Sequence, residues 1–209
     1  MYSNGFASFS LGGFLGWRKM PIWKGEATAF TAMANGQAAV AIKWSSEGMF
    51  PPANFAVIIY DVTRKAFVQE LSNGTELPGP YYNNELKALT MNVVLVAGLA
   101  NNGNIAIWDK STTSRIFYDG IKGDAACVAL HPQQQKVLVA GTEDGNVVLL
   151  QITSEGKLEE IQRFKASEGQ TNTVAWSPDG AKLAIGTQGK TVEYGFAVTT
   201  LKKGAGLAP

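Results

Sequence analysis

The stretch that decides the fold is VVLVAGLANNGNIAIWD, residues 93–109. It consists of an apolar run that ends near Gly98, a polar turn at Asn102-Gly103, and a second apolar run that ends in Trp108-Asp109. Asn-Gly is a strong hairpin signal, because Gly adopts positive φ without steric cost and Asn tolerates it better than most residues. The stretch therefore predicts an antiparallel β-hairpin.

The same pattern recurs along the chain. KVLVAGTEDGNVVLLQI at 136–152 repeats it, the stretch from Lys182 to Tyr194 repeats it again, and a looser copy joins Ala38–Ser45 to Phe55–Asp61. We align the second strands of the four copies on Tyr60, Trp108, Leu150 and Tyr194. The clearest hairpins are predicted over residues 93–109, 136–152 and 182–198.

Further short apolar runs flank the hairpins. The runs before them are Thr28–Met33, Lys87–Met91, Ala126–Leu130 and Asn172–Trp176, and the runs after three of them are Ala66–Leu71, Arg115–Tyr118 and Glu160–Phe164. A helical interpretation fails, because the runs are short, rich in β-branched residues and interrupted by Gly. Four strands in roughly 44 residues make one propeller blade. The sequence thus predicts an all-β protein with about four β-propeller blades over 26–198, an arm over 1–25 and a tail over 199–209.

Parts of the repeats resemble the WD40 family of β-propellers. Ile105–Asp109 matches the Trp-Asp strand that closes a repeat of that family, Ile58–Asp61 is a near match, and Trp176–Gly180 is similar to the family's first turn. The family's Gly-His dipeptide is absent from every blade, so the resemblance implies degenerate blades without the usual buried Asp–His–Ser/Thr–Trp network. Residues 126–198 look most like the actin-interacting WD-repeat proteins that assist cofilin, although no actin-contacting residue carries over.

Composition argues against nucleic-acid binding and against catalysis. The 18 Lys and Arg residues nearly balance 17 Asp and Glu, whereas a nucleic-acid binder has a strongly basic face. One Cys and one His cannot supply the three or four ligands of a zinc site. No glycine-rich phosphate loop occurs in the sequence. We therefore expect no catalytic residue, no metal and no cofactor.

Cys127 and His131 have structural interpretations. Cys127 lies in an apolar run, which favours burial as a small hydrophobic residue. A single cysteine also excludes an intrachain disulfide and fits a reducing compartment. We expect an intracellular protein, cytoplasmic first and organellar as the alternative. His131 precedes Pro132 at the end of a run, where it is predicted to be a turn residue.

The opening segment is aromatic and has few charges. Its large aromatic residues include Phe6, Phe9, Phe14, Trp17 and Trp23. Arg18-Lys19 ends its apolar run short of the ~18 residues that a transmembrane helix needs, so no transmembrane segment is expected. Such an arm is predicted to pack on the blades or to insert into a partner, because aromatic side chains are frequent interface hot spots. Further candidate partner-binding residues lie in turns of one rim: Asn101, Asn102, Glu143, Asp144 and Gln188.

The predicted function is a non-catalytic scaffold that binds other protein subunits in a hetero-oligomer. Two alternatives stay open: an accessory structural subunit of a large, organellar or other, complex, and a propeller hydrolase with a metal in its channel. Closed propellers contain about four to eight blades, and the last copy lacks a convincing fourth strand. We therefore expect an incomplete propeller, finished by the arm through Phe6–Leu11 or Met20–Trp23, or by a strand from a partner.

Overall fold

The regular elements of this protein are β-strands. The computed structural model describes residues 25–33, 35–45, 53–73, 86–118, 120–188 and 194–200, and in these ranges every regular element is a strand. Among these residues, no helix is long and apolar enough to cross a membrane. The prediction of an all-β protein is confirmed.

The strands form four antiparallel sheets, which we number as blades 1 to 4. Blade 1 contains β1 (Gly25–Ala32), β2 (Gln37–Ser45), β3 (Ala53–Asp61) and β4 (Ala66–Asn73). Blade 2 contains β5 (Leu86–Met91), β6 (Leu95–Ala100), β7 (Ile105–Asp109) and β8 (Arg115–Tyr118). Blade 3 contains β9 (Ala125–Leu130), β10 (Val137–Thr142), β11 (Asn146–Ile152) and β12 (Leu158–Lys165). Blade 4 contains β13 (Thr171–Trp176), β14 (Lys182–Gln188) and β15 (Tyr194–Thr200).

Within each blade, strands that follow each other in sequence pair with each other. The β6–β7 and β10–β11 hairpins occupy the predicted ranges, with Val96 opposite Trp108 and Leu138 opposite Leu150. Their tight turns depend on Gly103 and Gly145, which have φ angles of 79° and 81°, a region that side chains with a Cβ rarely adopt. These hairpins are confirmed.

The register of blade 4 differs from the predicted one. The sequence pattern predicts Tyr194 at the position equivalent to Trp108, but Tyr194 is the first residue of β15 and lies opposite Gln188. Thr199 lies opposite Leu183, and therefore Thr199 holds the position that Trp108 holds in blade 2. The reason is that β14 continues through Gln188, which we had placed in the turn, and the partner strand consequently begins later. In the described residues blade 4 has three strands, one fewer than the other blades.

Apolar clusters between successive blades form the core. We call the face toward the preceding blade the leading face of a sheet, and the face toward the following blade its trailing face. Ile59 of blade 1 and Trp108 of blade 2 belong to one cluster, Ile107 of blade 2 and Leu150 of blade 3 to the next, and Leu149 of blade 3 with residues of blade 4 to a third. Strands β1, β5, β9 and β13, the first of each blade, also contact one another in order. Blades 2 and 3, which have a neighbour on each side, are thus covered on both faces.

Truncation of Trp108 tests this packing. Trp108 is fully buried between blades 1 and 2, and a buried Trp→Ala change typically costs about 3–5 kcal/mol. We expect Trp108→Ala to lower the free energy of unfolding by that amount in a urea titration. Val93→Ala is the control: Val93 is 60% exposed, and such surface changes stay within about 0.5 kcal/mol. Equal midpoints for the two variants would contradict the described core.

Candidate interaction surfaces

One rim of the molecule combines hairpin turns with the connections between blades. It contains the β6–β7 turn (101–104), the connection 120–124, the β10–β11 turn (143–145) and the connection 166–170. We call it the connector rim. Four of the five candidate turn residues, Asn101, Asn102, Glu143 and Asp144, are exposed here.

Main-chain hydrogen bonds tie these turns and connections together. The Glu143 N–H donates to the carbonyls of Gly123 and Asp124, both at 3.0 Å. The Ala166 N–H donates to the Gly145 carbonyl at 2.9 Å. Farther along, the Gln188 N–H donates to the Gln170 carbonyl at 2.8 Å. The candidate residues therefore lie along one arc held by backbone contacts.

Asp144 is exposed, and it also stabilises the turn in which it lies. The Thr142 hydroxyl donates to its carboxylate, and this bond is the main reason why the pKa of Asp144 lies below its usual value. The Asn146 N–H donates to Thr142 Oγ1 at 2.9 Å, and the Lys165 ammonium donates to the Asp144 carbonyl at 2.6 Å. Asp144 is consequently charged at neutral pH and fixed in its turn.

The remaining candidates differ in their environments. Asn102 also fixes its own turn, since its Oδ1 accepts from the Asn104 N–H at 3.2 Å. Gln188 is not in a turn; it is half-buried at the end of β14. The five candidates of the arm lie outside the described residues: Phe6, Phe9, Phe14, Trp17 and Trp23.

The opposite rim, which we call the turn rim, begins the first turn of blades 2, 3 and 4 with a polar residue. Asn92 follows β5, His131 follows β9 and Ser177 follows β13. Asn92 Oδ1 accepts from the N–H groups two and three residues later, at 3.0 and 2.8 Å. His131 Nδ1 accepts from the same two positions of its own turn, at 3.1 and 2.8 Å. The predicted turn position of His131 is thus confirmed, and Asn92 is its counterpart in blade 2.

Side chains of the turn rim also connect one blade to the next. Lys110 Nζ of blade 2 donates to Gln37 Oε1 of blade 1 and to the Asn92 carbonyl, both at 3.1 Å. Asn92 Nδ2 donates to the His131 carbonyl of blade 3 at 3.3 Å. His131 Nε2 lies 3.2 Å from the Gly180 carbonyl of blade 4. A series of hydrogen bonds therefore crosses all three blade junctions.

The position of His131 determines its protonation. Because Nδ1 accepts two N–H groups, the ring proton must be on Nε2, from which it donates to the Gly180 carbonyl. The ring is 4% exposed and lies 4.6 Å, centroid to centroid, from Trp176. Burial lowers the pKa of His131 below its usual value, although the Gly180 contact opposes that shift. A Cβ at Gly180 would lie 2.1 Å from the imidazole, so only glycine fits there.

Nucleophilic and metal chemistry find little support in the described residues. The Cys127 thiol is half-buried and donates to the Thr171 carbonyl at 3.4 Å. Burial raises the pKa of Cys127 to about 11, which keeps the thiol protonated and weakly nucleophilic at neutral pH. In the part of the chain that the structure describes, no three His, Cys, Asp or Glu residues are placed to hold a metal ion.

Blade 1 exposes apolar side chains that the sequence analysis did not single out. Of the large apolar residues exposed in the described ranges, four belong to blade 1 and one to blade 2: Phe30, Val62, Phe67, Val68 and Val93. Phe30 is 76% exposed. The strand pattern placed Phe30 in β1, but only the arrangement of the sheets reveals that no neighbour covers it.

Comparisons with known proteins support the fold. No family model matches the chain. A curated relative is Wdr24 of Drosophila melanogaster, described as a GATOR2 complex protein, which is 23% identical over 57% of this chain. The matched part is 16% of Wdr24, so the chain corresponds to a small share of that protein.

Solved structures give the same result at low identity. Sqt1 from Chaetomium thermophilum is 17% identical, with a TM-score of 0.52 over 78% of this chain and 41% of its own. The computationally designed protein Ika4 is 15% identical, with a TM-score of 0.53 over 84% of this chain and 91% of its own. The fold is thus that of β-propeller blades, and the resemblance to the WD40 family and to its cofilin-assisting members stays a prediction.

Protonation of His131 should weaken the fold. Its pKa is lower in the folded chain than its usual value of 6.5, so the unfolded chain binds the proton first as the pH falls. The stabilisation that comes from the neutral, buried imidazole is complete above the usual pKa of 6.5, and it is lost as the pH decreases toward the lower pKa of the folded chain. We expect the urea midpoint to fall as the pH decreases from about 6.5 toward about 5, the lower part of the range in which histidine titrates.

The chain offers a matched control for this test. His131 is the only histidine, and Asn92 demonstrates that asparagine can accept the same two N–H groups. His131→Asn should therefore retain the turn and lose most of the pH dependence in this window. An unchanged slope in His131→Asn would contradict the assignment of the titration to the imidazole.

Proposed function

We propose that this protein is a non-catalytic scaffold that binds protein partners through its connector rim. The observation that carries the proposal is the arc of exposed turn tips held by main-chain hydrogen bonds between turns and connections. Such a surface loses little conformational entropy when a partner binds, because its backbone is already fixed. Loops that a rigid scaffold positions are the usual place of binding residues.

The chemistry of the rim indicates a polar partner. Its exposed side chains carry both signs of charge: Asp124, Glu143 and Asp144 are acidic, and Lys122 and Lys165 are basic. Contacts to such a surface are hydrogen bonds and charge pairs, which give specificity and fast association and are weakened by salt. A segment of a protein with alternating polar and charged side chains fits this rim better than an apolar ligand.

Other propellers support the proposal by analogy. Sqt1 has been solved with the N-terminus of the ribosomal protein L10 bound, and Wdr24 is described as a protein of a complex. The accessory-subunit hypothesis remains a second candidate, favoured by the exposed Phe30 of blade 1. The two hypotheses differ in the surface that binds the partner: the scaffold would use the connector rim, and the accessory subunit would use the sheet face that carries Phe30.

Charge reversal on the rim tests the proposal. We expect Glu143→Lys to remove partners that co-purify with the tagged full-length chain, as measured by quantitative mass spectrometry. Glu143 is exposed, so the folded state should be unaffected. Glu155→Lys is the matched control, because Glu155 is also exposed but lies in the β11–β12 turn, on the turn rim. Equal partner sets for the wild-type chain and Glu143→Lys would refute a role of this rim.

A further inference from the structure

One segment of blade 1 exposes apolar and basic side chains next to each other. It covers residues 62–68, from the β3–β4 turn into β4, and it contains no acidic residue. Its three large apolar side chains are 53%, 42% and 46% exposed: Val62, Phe67 and Val68. Lys65 is exposed, and the Arg64 side chain is 84% exposed although its Nε lies 3.7 Å from an Asp61 carboxylate oxygen. Apolar groups concentrated at the surface in this way indicate an interaction site.

The shape of the β3–β4 turn does not require these side chains. The β7–β8 turn of blade 2 has the same backbone, with φ angles of 51° at Lys65 and 57° at the equivalent Thr113. In both turns, the aspartate that ends the preceding strand accepts a hydrogen bond from the N–H group three residues later, at 2.8 and 3.1 Å. Blade 2 forms its turn with the polar sequence KSTTS at 110–114. The exposed valine and the two cations of blade 1 are therefore not needed to form the turn.

A turn of blade 2 adds a further exposed apolar residue. Val93, in the β5–β6 turn, is 60% exposed. Lys110 Nζ connects this turn to blade 1, because it donates to the Asn92 carbonyl and to Gln37 Oε1, both at 3.1 Å. The Val62 N–H donates at 2.8 Å to the β1–β2 turn that precedes Gln37. Hydrogen bonds thus join the turns of Val62 and Val93. We define the apolar–basic patch as six exposed residues: Val62, Arg64, Lys65, Phe67, Val68 and Val93.

The two rims of the molecule differ in charge. In the described turns of the turn rim, four exposed cations accompany two exposed acidic residues: Arg64, Lys65, Lys136 and Lys157, with Glu155 and Asp179. In the described turns and connections of the connector rim, one exposed cation accompanies four exposed acidic residues: Lys122, with Asp124, Glu143, Asp144 and Glu168. None of the large apolar residues exposed in the described ranges lies on the connector rim. Positive charge and exposed apolar side chains are therefore found together on the turn rim.

We propose that the turn rim docks on the surface of an anionic lipid bilayer, with the apolar–basic patch among the lipid headgroups. Cations near such a surface are attracted by its negative potential, and apolar side chains gain by entering the boundary between headgroups and acyl chains. A bilayer fits better than one acidic peptide, because the exposed cations belong to blades 1 and 3, on either side of blade 2. A plane can contact both blades at once. The connector rim then points away from the lipid and stays accessible to protein partners.

The size of the patch predicts weak and reversible binding. Each cation near an anionic surface strengthens binding by about fivefold, and the apolar side chains contribute in proportion to the area that they bury. Four partly exposed apolar side chains and two cations provide an affinity on the order of 10⁴ M⁻¹, which is comparable with that of a single myristoyl chain.

Co-sedimentation of the full chain with lipid vesicles measures this binding. We expect binding to vesicles of phosphatidylcholine mixed with phosphatidylserine, and much weaker binding to vesicles of phosphatidylcholine alone. An increase in salt from about 0.1 M to about 1 M should weaken the binding, because the screening length falls from about 10 Å to about 3 Å. Equal binding to the two kinds of vesicle would overturn the proposal. Absence of binding to either would also overturn it, and would leave a protein segment with acidic and apolar residues as the occupant of the patch.

Two variants assign the binding to the patch. Arg64→Gln/Lys65→Gln should lower the affinity for the anionic vesicles about 25-fold, and Val62→Ser/Phe67→Ser should lower it about tenfold or more. Both should keep the far-ultraviolet circular dichroism spectrum of the wild-type chain. Lys122→Gln is the matched control, because Lys122 is an exposed cation of the connector rim. Unchanged affinity in both patch variants, or an equal loss in Lys122→Gln, would overturn the proposal without bearing on the protein partners of the connector rim.

Discussion

Packing of one sheet on the next is the interaction on which the rest of this protein depends. A four-stranded sheet has two apolar faces, and it cannot cover either by itself. In blades 2 and 3 the neighbouring blades cover both faces, and the central strands β6, β7, β10 and β11 are almost entirely buried. Burial of this apolar surface is worth about 25 cal/mol per Å², and it holds the two rims at a fixed separation.

The two rims are stabilised by different chemistry. On the connector rim main-chain groups supply bonds between turns and connections, and the tip residues Asn101, Asn102, Glu143 and Asp144 are exposed. On the turn rim the side chains of Lys110, Asn92 and His131 cross the blade junctions themselves. A substitution at those three residues would disturb two blades at once, whereas a substitution at Glu143 would leave the sheets unchanged.

Much of the architecture follows from the sequence because the signals are local. Asn102-Gly103 and Asp144-Gly145 fix two turns, and the apolar runs on either side of each turn fix the strands. The same reasoning misplaced Tyr194, because Gln188-Gly189 resembles a turn while β14 gains two more pairs by extending to Gln188. The candidate partner-binding residues in the turns could be predicted for the same reason as the hairpins, because Asn, Asp and Gly are residue types that favour turns.

Features that depend on contacts between residues far apart in sequence could not be predicted from local patterns. The bond from Asn92 to blade 3 joins residues 39 positions apart in sequence, and nothing in the local pattern of 92–95 indicates it. Alignment of the blades would have revealed one part of the signal, since Asn92, His131 and Ser177 occupy equivalent turn positions. The exposure of Phe30 depends on the absence of a neighbour, which no single strand encodes.

The strand pairing has an evolutionary consequence. Each strand pairs with the strand next to it in sequence, and the extensive contacts between sheets join blades that are adjacent in sequence. A duplicated or deleted gene segment that encodes one blade would therefore preserve the pairing in all the others. Such a lineage can change its number of blades by unequal recombination while each surviving sheet keeps its hydrogen bonds, and selection then acts mainly on the side chains at the new junction.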